Sequence, residues 1–381
     1  MLKSVYSDAG LGLSVGRITI GSSDYSAELY TYDDVEGDTE LKYFSIDRDR
    51  EYIIPVIREI LAINPNLTLF ASPWSPPGWM KTGGSACGGY MREEYVECYA
   101  EYIVRFLQAY REEGIEIAAI TPQNEPETQQ SGKMPACIWH PDIEAKFIMT
   151  LRKKLTESGL STEIWMYDHN FSGCERVRWS LDHYSGLSEA CNGVAFHYYS
   201  GNIEQTAVLK NTYPKLALHF TEGGPRLLDH YADDWCKWGI MIAKVLSMGY
   251  SSFTGWNLLL DETGGPNIGP FFCGGLLTLH SQTGELTCSG QYKALRHFAP
   301  FYRKDMNVYP VTFAPDGPTM FGYPKTGKPM EGCLMKHTDG TEVLILVNPN
   351  ESKRQAQYLK DGKWWYVELL PNSVSTVVFE E

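Results

Sequence analysis

Two glutamates, Glu125 and Glu222, each follow a short apolar segment that the sequence pattern predicts to be a β-strand. Glu125 stands in Ala118–Glu127 (AAITPQNEPE), where the apolar run breaks at Pro122 and ends in polar residues. Glu222 has the same position in Lys215–Gly224 (KLALHFTEGG). A carboxylate just past the C-terminal end of a buried strand is where a (β/α) barrel keeps its catalytic groups. A pair of such carboxylates is what hydrolysis of a glycosidic bond requires. For either glutamate taken alone, a solvated loop acid is the alternative.

Further polar and aromatic side chains follow the other predicted strands. The barrel interior is apolar, so such residues require the solvated rim at the strand ends. Few of them are basic and no Gly-rich phosphate loop accompanies them, which argues against a phosphorylated ligand. The set suits a neutral polyhydroxylated ligand held by amides, acids and rings. Its members are Arg17, Asp24, Trp74, Asn124, Asp168, His169, His197, Tyr198, Tyr199, Trp256 and Asn257.

The elements that must position these residues alternate along the chain. Strands are predicted at Leu11–Ile20, Leu67–Ala71, Glu116–Ile120, Glu163–Tyr167, Gly193–Phe196, Lys215–Gly224 and Ser251–Gly255. Helices are predicted at Asp47–Ile63, Arg92–Glu113, Pro141–Ser158, Cys174–Tyr184, Ile203–Asn211, Asp233–Met248 and Gln291–Tyr302. This alternation indicates parallel βα units in an α/β fold. Seven strands are one fewer than a closed (β/α)8 TIM-type barrel needs.

The pattern changes from about Met306, where short strands are separated by Pro, Gly and Asn turns. The strands are predicted at Val343–Val347, Trp364–Leu369 and Ser375–Phe379. We therefore expect two domains: a (β/α) barrel over residues 1–303 and a small all-β sandwich over residues 304–381.

Composition narrows the class of protein. The 381 residues carry a net charge of −14, which disfavours nucleic acid as a partner. The aromatic content is high, with 10 Trp, 24 Tyr and 15 Phe. Most of these rings are expected in the core, but tryptophans near loops are also typical of sugar-binding clefts. Nine cysteines without a CxxC pair predict reduced, mostly buried thiols and no zinc site, although Cys87 and Cys137 could pair if the protein is exported. Two carboxylates and water need no metal or other cofactor.

The chain as written begins MLKSVYSDAG, without the apolar core of a signal peptide. This leaves a cytoplasmic location as written, or secretion if further residues precede it. No apolar run approaches the ~20 residues of a membrane span.

Six motifs, in order along essentially the whole chain, resemble those of glycoside hydrolase family 30. That family includes lysosomal-type glucosylceramidases, bacterial β-glucosidases, β-xylosidases and β-1,6-glucanases. The motifs are RITIGSSDYS, ASPWSPPGWMKT, TPQNEPE, AFHYY, HFTEGG and TGWNLLLDETGGPN.

The resemblance implies a retaining hydrolase with Glu222 as nucleophile and Glu125 as general acid/base, the latter with a raised pKa. It implies that Asn124 contacts the sugar 2-hydroxyl and that Arg17 pairs with Glu222. Asn124 could instead only form a turn, and Arg17 could be a structural ion pair. The remaining expected substrate contacts are Asp24, Trp74, His197, Tyr199 and Trp256. Core packing is the alternative for either tryptophan, and a satisfied interior histidine for His197.

The expected substrate is a β-glucoside, of the glucosylceramidase, β-glucosidase or β-1,6-glucanase type. Alternatives are β-xylosidase or β-fucosidase activity, or a catalytically weak carbohydrate-binding protein. The chain departs from the family at its start, because the Gly-rich first βα unit does not precede Met1. The start could be truncated, the barrel could close imperfectly, or a second copy could cover the opening in a homo-oligomer. We favour the oligomer as the working hypothesis.

Overall fold

The computed structural model describes residues 1–313 and 327–379. Its α-helices are α1 (Leu2–Tyr6), α2 (Asp47–Glu51), α3 (Ile53–Ile63), α4 (Val96–Glu112), α5 (Pro141–Glu157), α6 (Cys174–His183), α7 (Leu187–Ala190), α8 (Ala207–Thr212), α9 (Trp235–Ser247) and α10 (Gly290–Phe298). Its strands are β1 (Val15–Ile20), β2 (Thr68–Pro73), β3 (Cys87–Tyr90), β4 (Ala119–Ile120), β5 (Ala136–Ile138), β6 (Glu163–Asn170), β7 (Gly193–His197), β8 (Ala217–Glu222), β9 (Ser252–Phe253), β10 (Leu259–Asp261), β11 (Leu277–Leu279), β12 (Leu286–Cys288), β13 (Asn307–Pro310), β14 (Glu331–Lys336), β15 (Glu342–Asn348), β16 (Arg354–Lys360), β17 (Lys363–Leu369) and β18 (Ser373–Phe379).

A seven-stranded parallel sheet forms the frame, in the order β1-β2-β4-β6-β7-β8-β9. Neighbouring strands in the sheet belong to successive βα units of the chain. The predicted set of seven strands is confirmed. Among the described residues, no further strand pairs with the outer edges of β1 and β9. The sheet is therefore a half-barrel with two open edges. Cover by a second copy stays a prediction.

The strands of this sheet are apolar because helices cover one face and the barrel core lies on the other. Phe70, Ala119, Trp165 and Ala195, from four adjacent strands, form one buried cluster. The aromatic residues on one face of α4 also belong to the core, because their side chains are almost wholly buried. They are Tyr99, Tyr102, Phe106 and Tyr110.

Several elements differ from the sequence prediction, which did not include α1, α7, β13, β14 and β16. The helix expected at Asp47–Ile63 is two helices that meet at Tyr52, and Pro55 lies in the first turn of α3. An N–H is not needed there, so the proline can begin a helix that it would break further along. The short sheets β3–β5 and β10–β12 were not predicted, because strands of three or four residues show too little alternation.

The chain divides into two compact units. The first comprises Met1–Gly223, Ser251–Gly255 and Gly264–Phe271, and the second comprises Gly224–Tyr250, Trp256–Thr263 and Phe272–Glu381. The predicted domain boundary between residues 303 and 304 remains a proposal. Residues 314–326 and 380–381 of the predicted β-domain lie outside the described part of the chain.

The second unit contains the predicted C-terminal β-structure. Strands β13, β14, β15 and β18 form an antiparallel sheet, and β16 and β17 form a hairpin. Leu344 and Leu346 of the sheet form a buried cluster with Leu369 of the hairpin and Phe379. The expectation of an all-β segment after the βα units is confirmed.

All nine cysteines are free, and six of them are buried, as the sequence predicts. Among the described residues, none of the helices is long and apolar enough to cross a membrane.

A buried carboxylate fixes the long segment between β1 and α2. Asp49 in α2 is fully buried and accepts hydrogen bonds from the hydroxyls of Tyr30 (3.1 Å), Tyr32 (2.6 Å) and Tyr110 (2.5 Å). The first two tyrosines belong to the segment and the third to α4. This carboxylate thus ties the segment that carries Asp24 to two helices of the frame.

We predict that Asp49→Ala lowers the free energy of unfolding by on the order of 3 kcal/mol, because three buried hydroxyls lose their acceptor. Asp47→Ala is the matched control on the same helix, since its side chain is 77% exposed. The control should unfold almost as the wild type does. Urea denaturation followed by circular dichroism measures both, and equal midpoints for the two variants would contradict the role of Asp49.

Candidate active site

The carboxyl ends of the parallel strands bring together side chains that lie far apart in sequence. Arg17 comes from β1, Asp168 from β6, His197 from β7 and Glu222 from β8. Glu125 follows β4, and its backbone nitrogen donates to the carbonyl of Asp168 at 3.0 Å. Because all the strands run in one direction, these residues collect at one edge of the sheet.

The two predicted catalytic glutamates lie close together. One side-chain oxygen of Glu125, one of Glu222 and one ring nitrogen of His197 all lie within 4.8 Å of one another. Glu222 is buried and Glu125 nearly so. A carboxyl pair at this separation is close to the ~5–5.5 Å of glycosidases that retain configuration.

The environments of the two carboxylates differ. Glu222 accepts from the Arg17 guanidinium at 2.5 Å on one oxygen and from the Tyr199 hydroxyl at 3.0 Å on the other. Glu125 accepts instead from the amide of Gln130 and from Nδ1 of His197, the latter at 3.3 Å. Glu222 is thus paired with a permanent cation, whereas the charge partner of Glu125 is a group that can titrate.

Arg17 connects four of the predicted residues. Besides Glu222, it donates to the side-chain oxygen of Asn124 and to Asp168, both at 2.8 Å. Its guanidinium also lies 4.7 Å from the centre of the Trp74 ring. Because the Asn124 oxygen is engaged, its amide group is oriented with the nitrogen available to donate to a ligand.

Asp168 is the centre of this network, a role that the sequence analysis left undefined. The residue is fully buried, and burial alone would raise its pKa, but the Arg17 charge and the hydrogen bond from His197 hold that pKa far below its usual range. Five side chains donate to its two oxygens: Arg17 (2.8 Å), Ser72 (2.9 Å), Thr121 (2.7 Å), Thr221 (2.6 Å) and His197 (3.0 Å).

A β-bulge aims Asp168 inward. In the ladder between β6 and β7, Tyr167 pairs with Ala195 and His169 with Phe196, so Asp168 is the additional residue. Asp168 has a φ of 63° and Glu125 a φ of 53°, which places both in the left-handed region that non-glycine residues rarely adopt. Such backbone conformations persist where the surroundings fix them, here through the hydrogen bonds of the site.

His197 is charged at neutral pH. Burial alone would lower its pKa, but the surrounding carboxylates, led by Glu222, outweigh burial and raise it to about 9. The contact between His197 and Glu125 lowers the pKa of the glutamate. Burial alone would raise its pKa, but the His197 hydrogen bond and the nearby His169 hold that pKa below its ordinary value. The expectation of a raised pKa for Glu125 is therefore wrong for the substrate-free protein.

Asp24 lies on the loop after β1 and is 5% exposed. One of its carboxyl oxygens is buried without a hydrogen-bond partner among the described residues. Burial and the charges of Glu222 and Glu125 raise its pKa well above the ordinary value. A buried acceptor near two carboxylates suits a ligand hydroxyl that could supply the absent hydrogen bond.

Two tryptophans were predicted as ligand contacts. Trp74 is 1% exposed and lies against Arg17 in the same unit as the glutamates. Trp256 is buried and belongs to the second compact unit, so its role stays a prediction.

The atoms of Glu125, His197 and Glu222 have a spacing that a metal ion could use. However, the Arg17 guanidinium already neutralises Glu222, and both ring nitrogens of His197 face carboxylate oxygens. A doubly protonated imidazole has no lone pair for a metal, so this donor set fits proton transfer better.

Comparisons with known proteins agree with this geometry. The model of the glycosyl hydrolase family 30 TIM-barrel domain matches residues 1–302. The chain is 28% identical over 416 residues to "Putative glucosylceramidase 4" of Caenorhabditis elegans, covering 100% of this chain and 76% of that protein. It is 29% identical over 395 residues to an endo-1,6-β-D-glucanase of Neurospora crassa, covering 99% and 79%. The solved structure of the endo-β1,6-glucanase BT3312 superposes with a TM-score of 0.87 at 27% identity, covering 100% and 86%.

The raised pKa of His197 generates a prediction for stability. A raised pKa contributes stability that is complete below the unfolded value of ~6.5 and is lost as the pH rises through about 9. We expect the free energy of unfolding to fall across this window by on the order of 2 kcal/mol more in the wild type than in His197→Gln. Thermal melts at half-unit pH steps measure this difference.

His230→Gln, at an exposed histidine, is the control and should keep the pH dependence of the wild type. The assignment fails if His197→Gln loses stability over this pH range as steeply as the wild type does.

Proposed function

Because the chain belongs to glycosyl hydrolase family 30, we propose that it hydrolyses β-glycosides with retention of configuration, through Glu222 as nucleophile and Glu125 as acid/base. The family predicted from the motifs is thus confirmed, and the protein is a glycosyl hydrolase. The observation that carries the assignment of roles is the contrast between the two neighbouring carboxylates. One is bound to a permanent cation and the other to a titratable one.

In the first step, the Glu222 carboxylate attacks the anomeric carbon, and the bond from that carbon to the leaving oxygen breaks. Glu125 gives its proton to that oxygen, and a glycosyl ester of Glu222 remains. In the second step, Glu125 removes a proton from water as the water attacks the same carbon, and the ester bond to Glu222 breaks. Arg17 and Tyr199 support this role because their hydrogen bonds fix the orientation of the Glu222 carboxylate.

Glu125 must carry a proton before the first step. The His197 ring nitrogen lies 3.3 Å from Glu125 Oε1, and His197 has a pKa of about 9. A neutral sugar that displaces water from Glu125 raises the pKa of this carboxyl, because desolvation disfavours its charged form. The proton can then pass from His197 to Glu125. Asp168 holds the other nitrogen of the imidazole at 3.0 Å throughout.

The sugar contacts follow from the same arrangement. The Asn124 amide nitrogen is oriented to donate to the 2-hydroxyl, and the unpartnered oxygen of Asp24 can accept from another hydroxyl. Trp74 offers a ring beside Arg17. His197 and Tyr199 complete the proposed substrate-binding residues of this unit, and Trp256 is proposed from its motif alone.

The proposed substrates are β-glucosides. Two of the relatives are named as a glucosylceramidase and an endo-1,6-β-glucanase, so β-1,6-glucan and glucosylceramide are the two substrates to test. A β-xyloside and a β-fucoside complete the panel, because the loops around the pocket select the sugar. A role in sphingolipid metabolism depends on the glucosylceramide result.

Azide can identify the two carboxylates by the configuration of its product. In Glu222→Ala, azide should attack an activated aryl β-glucoside from the vacated side and give the α-glucosyl azide. In Glu125→Ala, it should attack the glycosyl ester and give the β-glucosyl azide. Without azide, both variants should lose at least about 10³-fold in kcat for an unactivated β-glucoside. Proton NMR of the products measures the configuration.

Glu262→Ala is the control, because Glu262 is a loop acid that accepts from Ser281 and not from the catalytic groups. It should hydrolyse the glucoside without forming an azide product. The same azide anomer from both catalytic variants would overturn the roles, and an inactive wild type on the whole panel would overturn the activity.

A further inference from the structure

The β16–β17 hairpin presents two large aromatic rings to solvent. Trp364 is 57% exposed and Tyr366 is 62% exposed. The two residues are separated by one position on the same strand, so their rings are on one face, about 6.6 Å apart along the strand. We define the outer face of the hairpin as Gln355, Gln357, Leu359, Trp364, Tyr366 and Glu368.

The opposite face of the hairpin is part of the core of the second unit. Ala356, Tyr358 and Val367 pack against the buried cluster that contains Leu344 and Leu346. Trp365 is directed to the same side and meets the Phe379 ring edge-on, at 5.4 Å between centroids. The outer face is therefore anchored on a rigid sheet and does not depend on the rings for folding.

The register places polar amides next to the rings. Gln357 is directly opposite Tyr366, and Leu359 is directly opposite Trp364. Gln355 pairs with Glu368, whose charge is balanced by Lys353 at 2.8 Å. The outer face thus combines two rings, one aliphatic side chain and two amides with no net charge once this ion pair is included.

The chemistry of the outer face selects among occupants. A nucleic acid or an anionic membrane requires several basic side chains around the rings, and Lys353, the lysine beside Glu368, is already paired. A neutral polysaccharide offers C–H faces for the rings and hydroxyls for the glutamine amides. Two rings about 6.6 Å apart along one strand also fit an extended ligand better than a single small molecule.

From this face we infer that the hairpin is a second saccharide-binding surface, which holds a β-glucan chain. The inference rests on the proposed function only for the choice of glucan. Its effect would be to keep the enzyme on a polymer while leaving the hydrolysis of small glycosides unchanged.

The test uses the full chain with Glu222→Gln, so that the polymer survives the measurement. Native gels that contain linear β-1,6-glucan measure retardation for this parent and for a variant that adds Trp364→Ala and Tyr366→Ala. We expect about tenfold weaker glucan binding in the added variant. Trp179→Ala, at a tryptophan 44% exposed on α6, is the matched control and should bind as the parent does.

In the active enzyme, the double substitution should leave the kcat/KM for an aryl β-glucoside unchanged and lower the initial rate on insoluble glucan. Normal aryl-glucoside activity also shows that the variant folds, and Gln355→Ala with Gln357→Ala provides an independent variant of the same face. Glucan binding equal to that of the parent in both variants overturns the inference. The inference is also overturned if the parent does not bind glucan but binds phosphatidylcholine vesicles or dimerises through Trp364 and Tyr366. If the wild type does not hydrolyse aryl β-glucosides, that result counts against the proposed function instead.

Discussion

The buried charge of Asp168 is the constraint on which the site depends. A carboxylate removed from water is stable only if cations and hydrogen-bond donors surround it. Asp168 obtains them from five other strands or strand ends, through Arg17, Ser72, Thr121, Thr221 and His197. By binding Arg17 and His197, the buried Asp168 carboxylate fixes the positions of the two cations that face Glu222 and Glu125.

Those two cations make chemically similar carboxylates unequal. Arg17 cannot lose its proton under ordinary conditions, so Glu222 is paired with a permanent cation that fixes its orientation. His197 can give up its proton, so Glu125 sits beside a group with which a proton can be exchanged. The low pKa of Glu125 in the substrate-free site fits this arrangement, because the proton then resides on the imidazole until a ligand excludes water.

The sequence was sufficient to locate the two glutamates, because an apolar strand that ends in an acid is a local pattern and Asn-Glu-Pro and Thr-Glu-Gly-Gly are distinctive. The seven parallel strands and the C-terminal β-structure were also predictable, because apolar runs separated by helices or turns are local patterns. The role of Asp168 was not, since it depends on a bulge in β6 and on donors from non-adjacent stretches of the chain. The direction of the Glu125 pKa shift was missed because His197 and His169 reach this carboxyl only in three dimensions. The grouping of aromatic and amide side chains on one face of the β16–β17 hairpin was also not predicted, because it depends on the strand register.

The central claim is that Glu222 becomes covalently bound to the sugar during catalysis. The most direct measurement is to incubate the enzyme with 2-deoxy-2-fluoro-β-D-glucosyl fluoride, digest it and find the modified residue by mass spectrometry. A single fluoroglucosyl group on Glu222, formed as activity is lost and released as activity returns, is the predicted result. An adduct on Glu125, or hydrolysis with inversion and no adduct at all, would contradict the account.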